Sequence, residues 1–311
     1  MSIMNIIIDT DPGTDDAVAL AAASVFFGSG IRAVISSYGN VSGGQAYRNL
    51  ANITDILNIG CAVFKGADNP LSGKPVVFTD YHGENGLFGR LEYEPELPVP
   101  VIRGMDADFI KQYSSIKYIA IGPLTNFAEM LEKFPECVNY ISELVVMGGG
   151  FEVTNSPNGT EYNFSMDAEA VRKVLASPVK KIFAPLDMTH KLAFSLDEID
   201  AIVGTNKNVF TELFYLNYET AVKHGESGAV IHDASTVAYL LDAYDAYSAY
   251  RDKKDKWECE IREHNIVCDS YGAIRKDSAG CPVKVIENIN KDFMRGMLRE
   301  TFNKLAAYLV Y

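Results

Sequence analysis

Short apolar runs alternate along the first two thirds of the chain with polar loops and with segments of helical spacing. Each run is rich in Ile, Val or Ala and stops at a polar loop, as strands buried on both faces of a parallel sheet do. The pattern predicts strands at residues 5–8, 33–36, 117–121, 143–147 and 181–184. It predicts helices at residues 17–27, at residues 45–57 and after the loop at 122–126.

The last third of the chain has a different pattern. Residues 196–250 are predicted to be helical. Residues 257–285 alternate polar and apolar side chains and contain turn dipeptides at Tyr271-Gly272 and Ala279-Gly280, which favours a hairpin. The apolar positions within residues 293–309, from Phe293 to Leu309, have the spacing of an amphipathic terminal helix.

Strands that alternate with helices are typical of an α/β fold with a doubly wound, mostly parallel sheet. We therefore expect a Rossmann-like core with helices on both faces. The chain has no Pro/Ser linker and no internal repeat, so one domain over residues 1–311 is expected. Ligands of such folds bind beyond the carboxyl ends of the strands, and the polar loops are expected to line one cleft there.

The charge balance excludes one class of partner. The chain has 28 Lys and Arg against 41 Asp and Glu, a formal net charge of -13. Nucleic-acid binding depends on basic patches, and no basic run here is longer than Lys253-Lys254. Hydrophobic residues make up 48% and charged residues 22%, as in ordinary globular domains. We expect no nucleic acid among the partners.

Membrane and export signals are weak. The longest nearly apolar stretch, residues 17–27, is shorter than the roughly 20 residues that span a bilayer. The first basic residue is Arg32, which argues against a secretory signal peptide. The five cysteines include no C-x-x-C pair, which disfavours a zinc site or a disulfide framework. A cytoplasmic protein without a membrane partner is expected.

The main chemical signal is an acidic loop after the first predicted strand. Asp9, Asp11, Asp15 and Asp16 fall within eight residues around Pro12-Gly13. Like charges this close are costly unless a cation neutralises them, and oxygen ligands select Ca²⁺ or Mg²⁺. Capping of the following helix would account for one or two of the four carboxylates, so a metal site is the better interpretation.

Three metal chemistries compete for this loop. An EF-hand requires Glu eleven residues after its first Asp, and Leu20 stands there. A phosphatase of the haloacid-dehalogenase type would use Asp9 as nucleophile and Asp11 as acid, but Gly13 breaks that pattern and Asp15-Asp16 is surplus to it. The third is a carboxylate-held cation that activates water, and motifs elsewhere in the chain favour it.

Residues 9–17, DTDPGTDDA, resemble the D-x-D-P-G-x-D-D-A signature of the inosine-uridine preferring nucleoside hydrolases. Further matches occur in the family's order, within residues 9–238. They are Gly39-Asn40, His82-Gly83 with Gly86-Leu87, Gly122-Pro123-Leu124-Thr125-Asn126, Val146-Met147-Gly148-Gly149, Glu161-Tyr162-Asn163-Phe164, Asp167-Ala168-Glu169-Ala170 and His232-Asp233. The resemblance implies the nucleoside hydrolase fold and hydrolysis of the N-glycosidic bond of ribonucleosides to ribose and a free base.

The resemblance also implies a bound Ca²⁺. Its ligands would be the carboxylates of Asp11, Asp16 and Asp233 and the main-chain carbonyl of Ile121. Asp11 would be the base that deprotonates a water for attack at the anomeric carbon. Dimers and tetramers are common in the family, so a homo-oligomer is expected.

Substrate contacts are implied in the same way. The ribose-binding residues would be Asp15, Asn40, Asn155, Glu161 and Asn163. The two-residue spacing of Glu161 and Asn163 predicts that both point the same way on an extended segment.

Two histidines complete the implied site. His82 would lie on a loop that closes over the nucleoside, and His232 would activate the leaving base, for which an ordinary histidine pKa near 6.5 is suitable. His190 and His264 have no comparable context and are interpreted as structural or surface residues.

Three questions stay open at this point. The base-contacting residues within 215–224, and with them the choice between purine and pyrimidine, are not assigned. The acidic loop alone also permits a Mg²⁺-dependent phosphohydrolase, although no Lys or Arg cluster is evident to hold a phosphate. A nucleoside-binding protein without catalysis is the third alternative.

Overall fold

The computed structural model describes residues 4–92, 102–103, 105–245 and 258–307. The strands are β1 (Asn5–Thr10), β2 (Ile31–Ser36), β3 (Ala62–Lys65), β4 (Ile102–Arg103), β5 (Ile116–Ala120), β6 (Ile141–Met147), β7 (Lys181–Ala184), β8 (Cys259–Cys268), β9 (Ile274–Lys276) and β10 (Cys281–Ile289). The helices are α1 (Thr14–Phe27), α2 (Gly43–Ile56), α3 (Ala107–Ile110), α4 (Thr125–Lys133), α5 (Tyr162–Met166), α6 (Ala168–Ala176), α7 (Leu186–Thr189), α8 (Leu196–Val203), α9 (Val209–Lys223), α10 (Ala234–Ala243) and α11 (Lys291–Leu305).

All described strands belong to one sheet with the order β4-β3-β2-β1-β5-β6-β7-β10-β8-β9. The pairs from β4 through β7 to β10 are parallel, whereas β8 pairs antiparallel with β10 and with β9. The chain proceeds outward from β1 on one side and from β5 on the other, so the order reverses between these two strands. In doubly wound sheets this reversal opens a crevice at the carboxyl ends of the strands, where ligands bind.

The central strands form because they are apolar on both faces. Ile6 and Ile8 of β1 are buried in the cluster that contains α1, α2 and α8–α11. Ile7, between them, is buried in the cluster that contains α4 and α6. Each such side chain contributes about 1.5–3 kcal/mol by leaving water. The two clusters confirm the predicted doubly wound α/β fold with helices on both faces.

Helix α1 begins within the acidic segment and is buried in the core. Its residues from Ala17 to Ala23 are almost completely buried, and it packs against α9, α10 and α11. At its start the Asp16 carboxylate accepts a hydrogen bond from the Gly13 N–H (2.9 Å), which satisfies one of the free N–H groups of the first turn. The helix therefore fixes the acidic residues at the reversal point of the sheet.

The structure agrees with most of the predicted elements. The five predicted strands are present, and β8–β10 form the predicted hairpin region. Strands β3 and β4 were not predicted. The predicted helical residues 246–250, the start of the hairpin region at residue 257, and Leu309 lie outside the described residues. All five cysteines are unpaired, as expected. No helix in the described part of the chain is long and apolar enough to cross a membrane.

Candidate active site

A cleft of about 580 Å³ opens at the carboxyl ends of the central strands. Its volume is typical of pockets for small molecules. Nearly all the residues assigned from the sequence line it, namely Asp15, Asp16, Asn40, His82, Ile121, Asn155, Glu161, Asn163, His232 and Asp233. The lining contains no Lys or Arg among the described residues.

Buried carboxylates converge on the floor of this cleft. Asp15, Asp16 and Asp233 each place a carboxylate oxygen within 4.8 Å of the other two. Asp15 and Asp16 begin α1, while Asp233 lies before α10 more than 200 residues later. Burial raises the pKa of Asp233 well above its ordinary value, and the charges of Asp15, Asp16 and Asp11 add to this effect. A cation among these carboxylates would offset the repulsion.

Asn40 joins two of the acidic residues. Its backbone N–H donates to Oδ2 of Asp11 (2.8 Å), and its Nδ2 donates to Oδ2 of Asp16 (3.1 Å) and to the Asp11 carbonyl (3.1 Å). Asp16 also accepts a hydrogen bond from the Thr10 hydroxyl. The sequence assigned Asn40 to ribose, and the structure shows that its amide N–H groups already orient Asp11 and Asp16.

Asp11 has one oxygen without a partner. Oδ1 is buried and makes no hydrogen bond to any described residue, whereas Oδ2 accepts from Asn40. Burial raises the pKa of Asp11 well above its ordinary value, and the Asp16 charge raises it further. Gly39 and Gly122 make room for this carboxylate, because a Cβ on either would lie 2.0 Å or 2.6 Å from an Asp11 oxygen.

The donor set fits a hard divalent cation. The trio and the unpartnered Asp11 atom are all carboxyl oxygens. Ile121, directly after β5, also lines the cleft. The Ile121 carbonyl accepts a hydrogen bond from Nδ2 of Asn163 (3.2 Å) and retains a second lone pair. Oxygen ligands of this kind bind Ca²⁺ or Mg²⁺ in preference to softer metals.

Glu161 and Asn163 lie together at the cleft but on a different backbone from the one predicted. The prediction of an extended segment there is wrong, because Asn163 is in α5 and Glu161 caps the N-terminus of that helix. The Glu161 carboxylate accepts hydrogen bonds from the N–H groups of Asn163 (2.8 Å), Phe164 (2.9 Å) and Gly149 (2.9 Å). Burial raises the pKa of Glu161, and these N–H groups counteract the shift.

Asn155 occupies the rim of the cleft and is exposed. Its Oδ1 accepts a hydrogen bond from the N–H of Tyr162 (2.8 Å), which ties the loop before α5 to the start of that helix. Gly159, in the same loop, has φ 75°, so the Asn158-Gly159 turn expected from the sequence is present.

His232 lies beside Asp233, and its ring contacts Thr189 and His190. Nδ1 is 2.7 Å from Oγ1 of Thr189, and the His190 ring is 5.3 Å away. Burial lowers the pKa of His232 to about 3, and His190 lowers it further, so the ordinary histidine pKa expected from the sequence is not found. His190 also lines the cleft and is not merely a surface residue. His264, by contrast, pairs with Glu287 (2.9 Å), away from the cleft.

His82 closes the other side of the cleft. Nδ1 lies 2.8 Å from Oγ1 of Thr14, and Nε2 lies 3.7 Å from Oδ1 of Asp15. The neighbouring Tyr81 reaches the segment after α9, where its hydroxyl donates to Glu226 (3.1 Å) and its ring packs near His224. His224 is within the range that the sequence indicated for base contacts, whereas Tyr81 and Glu226 were not predicted.

Asp9 does not belong to the cleft. It is completely buried, and its two oxygens accept hydrogen bonds from Tyr118 (2.9 Å) and Asn126 (2.8 Å). Burial raises the pKa of Asp9 to about 7, although these two donors oppose the shift. A role as nucleophile, which the phosphatase alternative requires, is incompatible with this environment.

Comparisons with known proteins agree with the geometry. A family model described as inosine-uridine preferring nucleoside hydrolase matches residues 6–296. The chain is 33% identical over 252 residues to the pyrimidine-specific ribonucleoside hydrolase RihA of Enterobacter sp. strain 638, a match that covers 76% of this chain and 78% of that protein. The Escherichia coli protein of the same name is 31% identical over 250 residues, with 76% and 79% covered.

Solved structures share the fold over almost the whole chain. A plant nucleoside hydrolase superposes with a TM-score of 0.85 at 19% identity, covering 96% of this chain and 99% of that one. A purine-preferring ribonucleoside hydrolase from Gardnerella vaginalis superposes with a TM-score of 0.79 at 21% identity, covering 97% and 98%. This chain therefore belongs to the inosine-uridine preferring nucleoside hydrolase family, whose members are N-glycosidases acting on ribonucleosides.

Proposed function

We propose that this protein is a Ca²⁺-dependent ribonucleoside hydrolase that acts as a single domain over residues 1–311. One observation carries the proposal: the buried carboxylates of Asp15, Asp16 and Asp233 meet at the reversal point of the sheet, in a cleft whose described lining has no Lys or Arg. Asp11 is buried behind this lining, and its charge acts on Asp16 and Asp233. Such a site requires a cation and has the size for a nucleoside.

The proposed ligands are Asp11, Asp16, Asp233 and the carbonyl of Ile121. When bound, Ca²⁺ supplies a Lewis acid that orients a water and ribose hydroxyls and makes that water more acidic. Asn40 prepares Asp11 and Asp16 for this role, since it donates hydrogen bonds to both. Asp15 is also within the carboxylate trio, and its proposed role is to accept a hydrogen bond from a ribose hydroxyl.

Asp11 is the proposed general base. Oδ1 accepts no hydrogen bond from the described residues, so it is available to take the proton of the attacking water. Oδ2 is held by Asn40, which fixes the direction of the free oxygen. The water would add to the anomeric carbon of the ribose as the bond to the base nitrogen breaks.

The ribose would be held by Asn40, Asn155, Glu161 and Asn163 as well as by Asp15. Glu161 and Asn163 are buried and held by backbone groups, which gives them little freedom to move. Prior orientation of such groups reduces the entropy lost on binding. His82 would contact the nucleoside from the opposite side of the cleft.

His232 is the proposed activator of the leaving base. Its Nδ1 is occupied by Thr189, so Nε2 is the nitrogen left to contact the base. A neutral imidazole with a proton on Nε2 donates a hydrogen bond to the departing ring, which stabilises the negative charge developing there.

The proposal is tested with inosine, uridine and cytidine supplied separately to Ca²⁺-loaded protein. Chromatography of the base and a reducing-sugar assay should show equal amounts of base and ribose from at least one nucleoside. Binding of all three without any release would support the alternative of a binding protein. The same panel assigns purine or pyrimidine preference, for which the pyrimidine-specific relatives favour uridine and cytidine.

A metal-dependent phosphohydrolase is the weaker alternative. Asp9, its required nucleophile, is sequestered by Tyr118 and Asn126, and the described cleft lining offers no cationic side chain to a phosphate. The cytoplasmic location and the homo-oligomer remain predictions from the sequence.

A further inference from the structure

The side chains of Asn217 and Thr14, from distant segments, form a hydrogen-bonded row that ends at His82. Nδ2 of Asn217, in α9, donates to Oγ1 of Thr14 (3.2 Å), the first residue of α1. That hydroxyl lies 2.8 Å from Nδ1 of His82, and the backbone N–H of Thr14 donates to the same nitrogen (3.3 Å). Thr14 and Asn217 are both buried.

The direction of each hydrogen bond in this row follows from its donors. A backbone N–H can only donate, so Nδ1 of His82 is an acceptor and carries no proton. The Thr14 hydroxyl must then donate its proton to Nδ1, because two lone pairs cannot pair with each other. Its oxygen is left as an acceptor for Nδ2 of Asn217, whose Oδ1 has no hydrogen-bond partner among the described residues.

The remaining proton of the neutral imidazole is therefore on Nε2. This nitrogen is 3.7 Å from Oδ1 of Asp15, at the wall of the cleft. The opposite tautomer would place an N–H of His82 against the N–H of Thr14 at the start of α1. That backbone N–H would then have no acceptor at Nδ1. The N–H at the start of α1 and the side-chain amide of Asn217 therefore both favour the His82 tautomer that carries its proton on Nε2.

We infer that Thr14 and Asn217 are positioning residues that fix His82 as a hydrogen-bond donor at Nε2. The ligand atom that meets His82 is then an acceptor, such as a base carbonyl oxygen, an unprotonated ring nitrogen or a ribose oxygen. The part that concerns the ligand rests on the proposed function, whereas the tautomer is a property of the free protein.

The tautomer is measured by long-range ¹H–¹⁵N correlation spectra of the histidine rings, with the His82 signals assigned by their loss in His82→Gln. In the free wild-type protein at neutral pH, Nε2 should be the protonated nitrogen and Nδ1 the unprotonated one. A proton found on Nδ1 would overturn the inference, whether or not the protein turns over nucleosides. The expected tautomer in a protein without turnover would instead contradict the proposed function and leave the positioning intact.

Two variants test the positioning itself. In Asn217→Asp the carboxylate accepts a hydrogen bond from the Thr14 hydroxyl, which then no longer donates to His82. Nδ1 keeps only the longer backbone hydrogen bond (3.3 Å), so a ring protonated on Nδ1, which can donate to the Thr14 oxygen, should become populated as tautomer or as imidazolium. Thr14→Val removes the hydroxyl, and Thr14→Ser retains it and should restore the wild-type spectrum. Unchanged His82 signals in both Asn217→Asp and Thr14→Val would refute the inference.

Turnover provides the second readout. Thr14→Val and Asn217→Asp should each lower kcat/KM by about tenfold, on the scale of one lost hydrogen bond, and Thr14→Ser should recover most of it. Thr301→Val is the matched control, because its buried hydroxyl donates to the Met297 carbonyl (2.9 Å) within α11. If the control loses as much activity as Thr14→Val, the effect is one of packing and the positioning role is wrong.

Discussion

The hydroxyl of Tyr81 donates a hydrogen bond to Oε1 of Glu226 at a distance of 3.1 Å, although 145 residues separate the two along the chain. Both residues line the cleft. The Tyr81 ring also lies 5.1 Å from that of His82 and 5.2 Å from that of His224. This bridge fixes the segment that carries His82 to the segment that follows α9, and so holds the two walls of the cleft together.

Tyr81→Phe removes the bridge while keeping the ring. We expect KM for the preferred nucleoside to rise about fivefold with kcat nearly unchanged, since one hydrogen bond contributes about 1 kcal/mol and no group assigned to catalysis is altered. Steady-state kinetics measures both constants. Tyr215→Phe is the control, because Tyr215 is not among the described residues that line the cleft and its hydroxyl donates a hydrogen bond to Asp200 (2.7 Å). A fall in kcat with constant KM in Tyr81→Phe would contradict this role.

Calcium affinity should depend on the acidic residues in a graded way. Asp11→Asn and Asp16→Asn each remove a proposed ligand charge, and calorimetric titration should detect no Ca²⁺ binding to either. Asn40→Ala leaves the carboxylates but removes the Nδ2 hydrogen bonds to the Asp16 carboxylate and to the Asp11 main-chain carbonyl, and should weaken binding about 10- to 100-fold. Asp9→Asn, at a residue of β1 whose carboxylate accepts hydrogen bonds from Tyr118 and Asn126, should bind like wild type. Equal affinities across the series would refute the ligand assignment.

Gly122 is required for the position of Asp11. A Cβ at residue 122 would lie 2.6 Å from Oδ1 of Asp11, so Gly122→Ala must displace the carboxylate. Because misplacement of a catalytic group by about 1 Å costs about 100-fold in rate, kcat/KM should fall by that order. Gly44→Ala, in α2 with no atom within 4 Å of the added Cβ, should retain activity and gain up to about 1 kcal/mol of stability. Similar activity in the two variants would show that Asp11 tolerates displacement.

Glu143, buried in β6, should make stability depend on pH. Burial alone would raise its pKa, but hydrogen bonds from Lys180 (2.7 Å) and Tyr244 (2.6 Å) and the charge of Lys117 hold the pKa below its ordinary value. A carboxylate with a lowered pKa stabilises the fold above its unfolded pKa, near 4.3, and loses this contribution as pH falls through its folded pKa.

Glu143→Gln should therefore lower the free energy of unfolding at pH 7 by about 3 kcal/mol, because Lys117 is left buried without its charge partner. The difference from wild type should shrink as the pH falls below about 4. Urea unfolding at pH 7 and at pH 3.5 measures both differences. The exposed pair of Glu129 with Lys133 offers Glu129→Gln as a control, with an expected change below about 0.5 kcal/mol. A difference independent of pH would exclude the electrostatic origin.

The fold was predictable where burial is visible in the sequence. Residues 6–8 are apolar without interruption because β1 is covered on both faces, and the same holds for the other central strands. Strand β3 was missed because it has only four residues and three of them are partly exposed, so its sequence lacks a long apolar run.

The site was predictable only in part, for a different reason. Asp11, Asp15 and Asp16 are recognisable because their spacing within one short segment of the sequence is itself the signal. Spacing says nothing about contacts between distant segments, such as that of Thr14 with Asn217 across 203 residues or of Thr189 with His232 across 43. The helical backbone at Asn163 was missed because the Glu161 carboxylate caps it, a contact that spacing alone does not reveal.

Calcium-dependent release of a base tests the account most directly. The protein is stripped of metal with a chelator and titrated with Ca²⁺ in the presence of uridine or inosine, and the free base is measured at each step. The rate should be negligible without metal and should rise to saturation at one bound Ca²⁺ per chain, with one ribose for each base. No release at any Ca²⁺ concentration, or a rate independent of Ca²⁺, would contradict the proposed hydrolysis mechanism.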